Sequence, residues 1–266
     1  MAILTAKYTS AQASTDGLNT TPPVLNDAMG IVGSDPANRV STVSNYITST
    51  YPNFSTTVSP TQVVVSFSAN INPEIFNGNF TTSFTSNNVS TLFNQISGTI
   101  TGFTSGSHLG LNDRYAVSGI SIDAHTYFNN ATWANVLTGG DTLIGGLGND
   151  VLQDYGVNNT FKGMGGNDTF IAAAGGVNTA IFTGKSSDYA IQSSSRIEHD
   201  GLIGLSGYTV NDNITNRDGF TQLINVNRLS FSDTNIALDI GPTQTAGSVY
   251  MPVSYTHLTL PTNREV

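Results

Sequence analysis

Apolar residues follow three different patterns along the chain. The first pattern lies within a lead-in over residues 1–60, where apolar residues recur at helical spacing after Asp35 and Pro36. Asp35 can cap a helix, and Pro36 suits its first position. This pattern predicts one short helix over 36–49. The rest of the lead-in is rich in Thr, Ser, Asn, Gly and Pro without a period, which is typical of loosely ordered chain.

In the second pattern, which begins at residue 61, apolar and polar residues alternate. Segments such as TQVVVSFSA and RYAVSGISIDA have the period of two that strands show, and turn-prone stretches separate them. They predict an antiparallel β domain over 61–136, with its sheet at 61–124. Asp123 is placed to cap a short helix that begins in IDAHTYF.

In the third pattern, one large apolar residue recurs every nine positions. The apolar column consists of Leu143, Leu152, Phe161 and Phe170. The polar column, two residues earlier, consists of Asp141, Asp150, Asn159 and Asp168. An amphipathic helix would carry several apolar residues in each nine. The columns instead predict very short strands joined by tight glycine turns, in which residues 18 apart lie stacked at the same edge.

Strand patterns resume after the repeat, and we expect residues 183–240 to cap its open end. The tail over 241–266 closes with PVSYTHLTLPTNREV at 252–266, which differs abruptly from the preceding chain. Those last residues resemble sequencing-adaptor read-through, and we expect them to be foreign to the natural protein. On this interpretation the natural protein continues beyond about Met251.

Charge and composition exclude several classes of protein. The net charge is −9 and the nine Lys and Arg residues are scattered singly, so we expect no nucleic-acid partner. The absence of cysteine excludes disulfides and thiolate metal sites. The N-terminus lacks the basic and apolar regions of a cleaved signal peptide, and no segment has the length of a membrane span.

The repeat resembles the nonapeptide of RTX, or haemolysin-type calcium-binding, proteins. GGLGNDVL at 145–152 matches at Gly145, Gly146, Gly148, Asp150 and Leu152. GMGGNDTF at 163–170 matches less completely, because Met164 replaces the second glycine. The resemblance covers about 137–240. It implies a mainly β protein in which the antiparallel domain is followed by a parallel β-roll over 137–182, with calcium ions between the turns of adjacent coils.

Oxygen ligands for calcium are expected mainly at one edge of the roll. Hard cations take six to eight oxygens, which carboxylates and backbone carbonyls can supply. The ligands predicted for the first ion are Asp150, Asp168 and the backbone of Gly145, Leu147, Gly148, Gly163, Gly165 and Gly166. At the other edge Asp141 faces Asn159 and then Asn178, so less charge would hold a second ion, and more weakly.

The resemblance implies export by a type I, signal-peptide-independent route, followed by calcium-coupled folding outside the cell. The predicted function is a structural or adhesive module that contacts an extracellular or cell-surface partner. One alternative is a structural roll that has lost its metal. Another is a secreted hydrolase, with a site built from Asp113, Asp123 and His125 or lying beyond the C-terminus. No His-Glu-x-x-His or Gly-x-Ser-x-Gly motif is present, and TGKSSD lacks the glycine of a phosphate loop.

Overall fold

The computed structural model describes residues 1–6, 54–66, 74–88, 91, 94–105, 115–130, 133–199 and 202–239. The helix predicted at 36–49, Asp113 and the tail over 241–266 lie outside these residues. The described chain is mainly β, and its strands form a twelve-stranded sheet (sheet 1) and a five-stranded sheet (sheet 2). Within the described chain, no helix is long and apolar enough to cross a membrane.

The N-terminal half supplies seven strands to sheet 1. They are β1 (Ile3–Ala6), β2 (Ser55–Val58), β3 (Gln62–Ser66), β4 (Glu74–Phe80), β5 (Phe84–Ser86), β6 (Gly98–Ser105) and β7 (Tyr115–Asp123). All pairs among them are antiparallel, in the order β1-β7-β6-β4-β3-β2-β5. The alternation in the sequence is confirmed in β3, where Val63 and Val65 are fully buried.

Two short helices follow this half, α1 (Ala124–Asn130) and α2 (Trp133–Val136). The predicted cap is confirmed, because the backbone N–H of Thr126 donates to Asp123 Oδ1 at 2.7 Å. Helix α1 covers sheet 1 with its aromatic side. The Tyr127 ring lies 5.4 Å from that of Phe76 and 5.3 Å from that of Phe103, measured between ring centroids.

The repeat forms five very short strands that fall alternately in the two sheets. They are β8 (Thr142–Ile144), β9 (Val151–Gln153), β10 (Thr160–Lys162), β11 (Asn167–Ile171) and β12 (Thr179–Ile181). In sheet 1, β8, β10 and β12 pair in parallel, and in sheet 2, β9 pairs in parallel with β11. The apolar column is buried as predicted, and the rings of Phe161 and Phe170 stack with centroids 5.4 Å apart.

The remaining strands are β13 (Tyr189–His199), β14 (Leu202–Asp212), β15 (Phe220–Ile224), β16 (Arg228–Ser230) and β17 (Asn235–Ala237). Two of these strands continue the two sheets of the repeat by parallel pairing, whereas residues 183–240 were expected to cover the open end of the repeat. β15 pairs in parallel with β11, and β16 pairs in parallel with β12. The antiparallel hairpin of β13 and β14 lies in the chain between β12 and β15.

Strand β1 joins the two halves of sheet 1. It pairs antiparallel with β7 on one side and parallel with β8 on the other. Leu4, at its centre, is fully buried. These residues fall in the predicted lead-in over 1–60, because a four-residue strand is too short to show a period.

Candidate metal site

The turns that lead from sheet 1 to sheet 2 differ in composition from those that lead back. GGLGND at 145–150 and GMGGND at 163–168 lead from sheet 1 to sheet 2 and end in aspartate; we call them the aspartate turns. The turns at 154–159, 172–178 and 225–227 lead back and end in asparagine; we call them the asparagine turns. The two kinds of turn therefore lie at opposite ends of the short strands.

The aspartate turns bring together the two carboxylates predicted from the sequence. Asp150 and Asp168 are each 1% exposed, and the backbone N–H of Asp150 donates to Asp168 Oδ1 at 2.9 Å across 18 residues of chain. Asp150 Oδ2 accepts the N–H of Gly146 at 2.7 Å. Asp168 Oδ2 is buried and has no hydrogen-bond partner. A buried acceptor without a donor is costly, so this oxygen requires a proton or a cation.

Glycine at the first position of each aspartate turn leaves room for these carboxylates. A Cβ on Gly163 would lie 1.8 Å from Asp168 Oδ2. A Cβ on Gly145 would lie 2.3 Å from Asp150 Oδ2 and 2.7 Å from the carbonyl oxygen of Gly163. A carboxylate oxygen of one turn and a carbonyl oxygen of the next thus converge on one small space beside Gly145.

The other glycines of the aspartate turns allow the two turns to stack closely. Gly166 has φ +104°, and a Cβ there would lie 2.3 Å from the carbonyl oxygen of Gly148. The N–H of Gly165 donates to the carbonyl oxygen of Gly146 at 3.1 Å. Among the predicted backbone ligands, Gly145, Gly148, Gly163 and Gly165 are buried, whereas the Leu147 side chain is 55% exposed and points away from the core.

The aspartate turns concentrate negative charge where water is excluded. The pKa of Asp168 is raised to about 8, mainly by burial and also by the nearby carboxylates of Asp150 and Asp218. Asp218 was not predicted. It reaches this region through the register of β15 with β11, and it accepts hydrogen bonds from the Thr183 N–H at 2.7 Å and from the Tyr189 hydroxyl. Its only sequence signal is the aspartate in NRDGF, outside the nine-residue columns.

The asparagine turns use amide side chains for the same backbone contacts. Asn159, Asn178 and Asn227 each accept, through Oδ1, a backbone N–H of the preceding turn at this end of the strands, at 2.9 to 3.0 Å; the donors are Asp141, Asn159 and Asn178. Each also donates through Nδ2 to a backbone carbonyl oxygen, in its own turn or in the neighbouring asparagine turn. Asn159 donates to Gly156 at 2.9 Å, and Asn178 donates to Ala173, Gly175 and Asn225 at 3.3, 3.2 and 3.0 Å.

Asp141, predicted for the second ion, lies in the turn that precedes β8. It is buried, its Oδ1 accepts the N–H of Ala2 and its Oδ2 accepts the N–H of Gly139 at 3.0 Å. The N–H of Asp141 donates to Asn159 Oδ1, so the predicted facing of these two residues is confirmed. Asp154, in the same region, was not predicted as a site residue, and burial raises its pKa to about 7.

Of the residues considered for a hydrolytic site, Asp123 and His125 lie within the described chain, at the start of α1. Asp123 caps α1, and the hydrogen bond from Thr126 lowers its pKa. His125 is exposed on the same helix, where Asn129 Nδ2 donates to its carbonyl oxygen at 2.9 Å. Both groups therefore have local roles in the helix.

The donor set of the aspartate turns fits a hard cation. In the part of the chain that the structure describes, no group of three or more His, Asp or Glu side chains is arranged to hold a metal. Two carboxylates supplemented by turn carbonyls are nevertheless a set that Ca²⁺ accepts, since it binds both kinds of oxygen. No family model, no curated protein and no solved structure matches this chain.

Proposed function

We propose that residues 137–240 form a calcium-binding β-roll of the RTX type and that calcium binding is coupled to folding. The observation that carries the proposal is the buried, unpartnered Oδ2 of Asp168 beside the carboxylate of Asp150 in the preceding turn. The parallel pairing of alternate strands in two sheets supports the roll, because a spiral of turns and short strands requires this pairing.

The chain's own residues prepare the site. The glycines at the first position of each aspartate turn leave room for the carboxylates, and the backbone N–H groups of Gly146 and Asp150 orient them. Without a cation, the carboxylates repel each other and one of them must hold a proton. A bound calcium ion supplies the missing positive charge, so its binding free energy adds to the free energy of folding.

This coupling suits a protein that is exported unfolded. The module would remain loose where calcium is scarce and become ordered where calcium is abundant; extracellular calcium modules commonly have Kd values of about 10⁻⁴–10⁻³ M. We propose a secreted, extracellular location reached by a type I route, and a structural or adhesive role toward a cell-surface or extracellular partner.

Calcium titration of the full chain tests the proposal. Isothermal calorimetry should detect binding, and at a calcium concentration of 100 times Kd the free energy of unfolding should rise by about 2.7 kcal/mol, which is roughly 5–10 °C in Tm. The Asp150→Asn and Asp168→Asn variants should lose most of this gain. Asp233→Asn, which removes an equal charge from an exposed carboxylate that accepts the Ser186 N–H, is the matched control.

The proposal fails if calcium produces neither heat nor a gain in β circular dichroism. It also fails if the two aspartate variants respond to calcium as the wild type and the Asp233→Asn control do.

A further inference from the structure

Asp154 occupies a turn position that holds glycine in both aspartate turns. It opens the asparagine turn at 154–159, as Gly145 and Gly163 open theirs. In the aspartate turns a side chain at this position would collide with the carboxylate of the turn's last residue. In the turn at 154–159 the last residue is Asn159, whose amide nitrogen turns to the Gly156 carbonyl instead. The carboxylate of this turn thus belongs to its first residue, Asp154, whereas in the aspartate turns it belongs to the last residue.

The Asp154 carboxylate is only half satisfied. The residue is 2% exposed, and its Oδ1 accepts the N–H of Gly156 at 2.7 Å. Its Oδ2 is buried and has no hydrogen-bond partner. Burial and the carboxylate of Asp141 disfavour its ionised form, and they outweigh the Asn159 side chain and the N–H groups of Gly156 and Tyr155, which favour it. No positive charge acts on the Asp154 carboxylate itself, although the Met1 amino nitrogen lies on the Asp141 side of the site, 3.9 Å from where a Cβ on Gly139 would lie.

Backbone oxygens of the preceding turn converge beside the same residues. A Cβ on Gly156 would lie 2.2 Å from the carbonyl oxygen of Gly139 and 2.8 Å from that of Thr138. Asp141 belongs to that turn, and its Oδ2 accepts the Gly139 N–H. Two carboxylates and two carbonyl oxygens, from two stacked turns, are thus brought together without a cationic side chain among them.

We infer that Asp154 and Asp141, with the carbonyl oxygens of Thr138 and Gly139, bind a second hard divalent cation. The inference rests on the proposed function for the identity of the cation, which we take to be calcium. This second site would differ in its ligands from a site of the nonapeptide repeat, because its main carboxylate stands at the first position of the turn, where the nonapeptide has glycine. Asn159 is then a neighbour that closes the turn, and not the second charged ligand.

Counting the bound ions separates this inference from the proposed function. Native mass spectrometry of the full chain with CaCl₂ should show two calcium ions on the wild type and one on Asp154→Asn. Asp168→Asn should also show one ion, and the double variant none. If Asp154→Asn binds as many ions as the wild type, the inference is overturned. If instead Asp168→Asn keeps the wild-type number, the proposed function fails, whatever Asp154→Asn shows.

Two further variants guard against a general effect on folding. Asp154→Gly restores the glycine of the aspartate turns and should also lose one ion while keeping the wild-type far-ultraviolet circular dichroism. Asp233→Asn should keep both ions. Full retention of the second ion in Asp154→Gly would overturn the inference as clearly as retention in Asp154→Asn.

Tyrosine-sensitised Tb³⁺ luminescence gives an independent readout. Tyr155 follows Asp154, is half-buried, and has its pKa raised by burial and by the Asp154 carboxylate. Tb³⁺ titrated in place of calcium should show sensitised emission that falls by at least half in Tyr155→Phe and in Asp154→Asn. Emission unchanged in both variants would contradict a cation beside Asp154.

Discussion

Stacked aspartates stand at one end of the short strands, and stacked asparagines at the other. Asp168 Oδ1 accepts the N–H of Asp150, and Asn178 Oδ1 accepts the N–H of Asn159, with nearly equal distances of 2.9 and 3.0 Å. The backbone contact is thus the same in both kinds of turn. The difference lies in the second side-chain atom, which is an acceptor in aspartate and a donor in asparagine.

This one atom decides what each turn needs in order to fold. Asn178 Nδ2 donates to three carbonyl oxygens, so its turn is closed by the protein alone. Asp168 Oδ2 has no donor, so its turn depends on a proton or a cation from solution. The comparison teaches that exchanging an amide for a carboxylate changes a turn that the protein closes alone into one that needs a proton or, as proposed, a calcium ion.

The largest expected effect is the pH dependence of the calcium-free protein. Asp168 has a pKa of about 8 in the folded state and an ordinary value of 3.8 when unfolded. Below the unfolded value both states are protonated and stability is fully present. As pH rises toward about 8, the unfolded chain ionises first, so stability is lost, by on the order of 5 kcal/mol at most.

Chemical denaturation in a calcium chelator, across this range of pH, measures the effect. Asp154 contributes in the same direction, because its pKa is also raised. The Asp168→Asn variant should therefore show a shallower fall than the wild type, and saturating calcium should flatten it as well. A calcium-free protein that gains stability between about pH 4 and pH 8 would contradict the assignment of a buried, uncompensated acid.

The next effect exchanges the chemistry of the two kinds of turn. Asn178→Asp removes the donor that serves Ala173, Gly175 and Asn225, and it leaves a carboxylate facing their oxygens. The amide has two N–H donors, and each buried acceptor left without a donor costs about 1–3 kcal/mol, so the variant should lose at least about 2 kcal/mol. Thermal unfolding with and without calcium measures this loss. Partial recovery of stability in calcium would show that a carboxylate alone makes the turn able to use a cation. A loss below about 1 kcal/mol would contradict the claim that the Asn178 amide closes this turn.

A backbone substitution tests how closely the aspartate turns must stack. Gly166→Ala places a side chain at φ +104° and 2.3 Å from the carbonyl oxygen of Gly148, and should cost about 2–3 kcal/mol together with calcium binding. Gly175→Ala is the matched control, because Gly175 has a similar φ of +95° and no atom lies within 4 Å of an added Cβ. Denaturant unfolding compares the two. Equal losses would mean that the close stacking of the aspartate turns has no energetic weight.

The smallest effect concerns the last asparagine turn. Asn227 Oδ1 accepts the N–H of Asn178 at 2.9 Å, and its Nδ2 donates to the Gly176 carbonyl oxygen at 2.9 Å. Asn227→Ala should therefore cost about 1–2 kcal/mol. Because this turn needs no cation, the cost should be equal with and without calcium in thermal unfolding. A cost that calcium doubles or removes would contradict the separation of the two kinds of turn.

Local periodicity explains which parts of this molecule could be predicted. Each short strand presents one residue to the core, so Leu152 and Phe170, two nine-residue units apart, identify their strands in the sequence. The same period predicts that Asp150 lies beside Asp168. The alternation over β3 to β7 was sufficient to predict antiparallel strands, though not their order.

Contacts between distant parts of the chain could not be predicted. Strand β1 shows no period of its own and is defined only by its partners β7 and β8. The hairpin of β13 and β14 separates β15 from the strand it extends, so Asp218 falls off the nine-residue grid. Asp154 does fit the nine-residue period, but at a position where the aspartate turns carry glycine. Only its burial in the structure shows that it matters.

The pairing of β1 with β8 has a consequence for the order of folding. The N–H of Ala2 reaches Asp141 across 139 residues, so β1 can pair with β8 only after this long segment has been synthesised. Contacts of such high sequence separation slow folding, because the entropy of closing a long loop must be overcome before they form. Until then β8 offers an open strand edge, which is a site for pairing with another chain. Export of an unfolded chain would postpone this slow step until the whole chain is outside the cell.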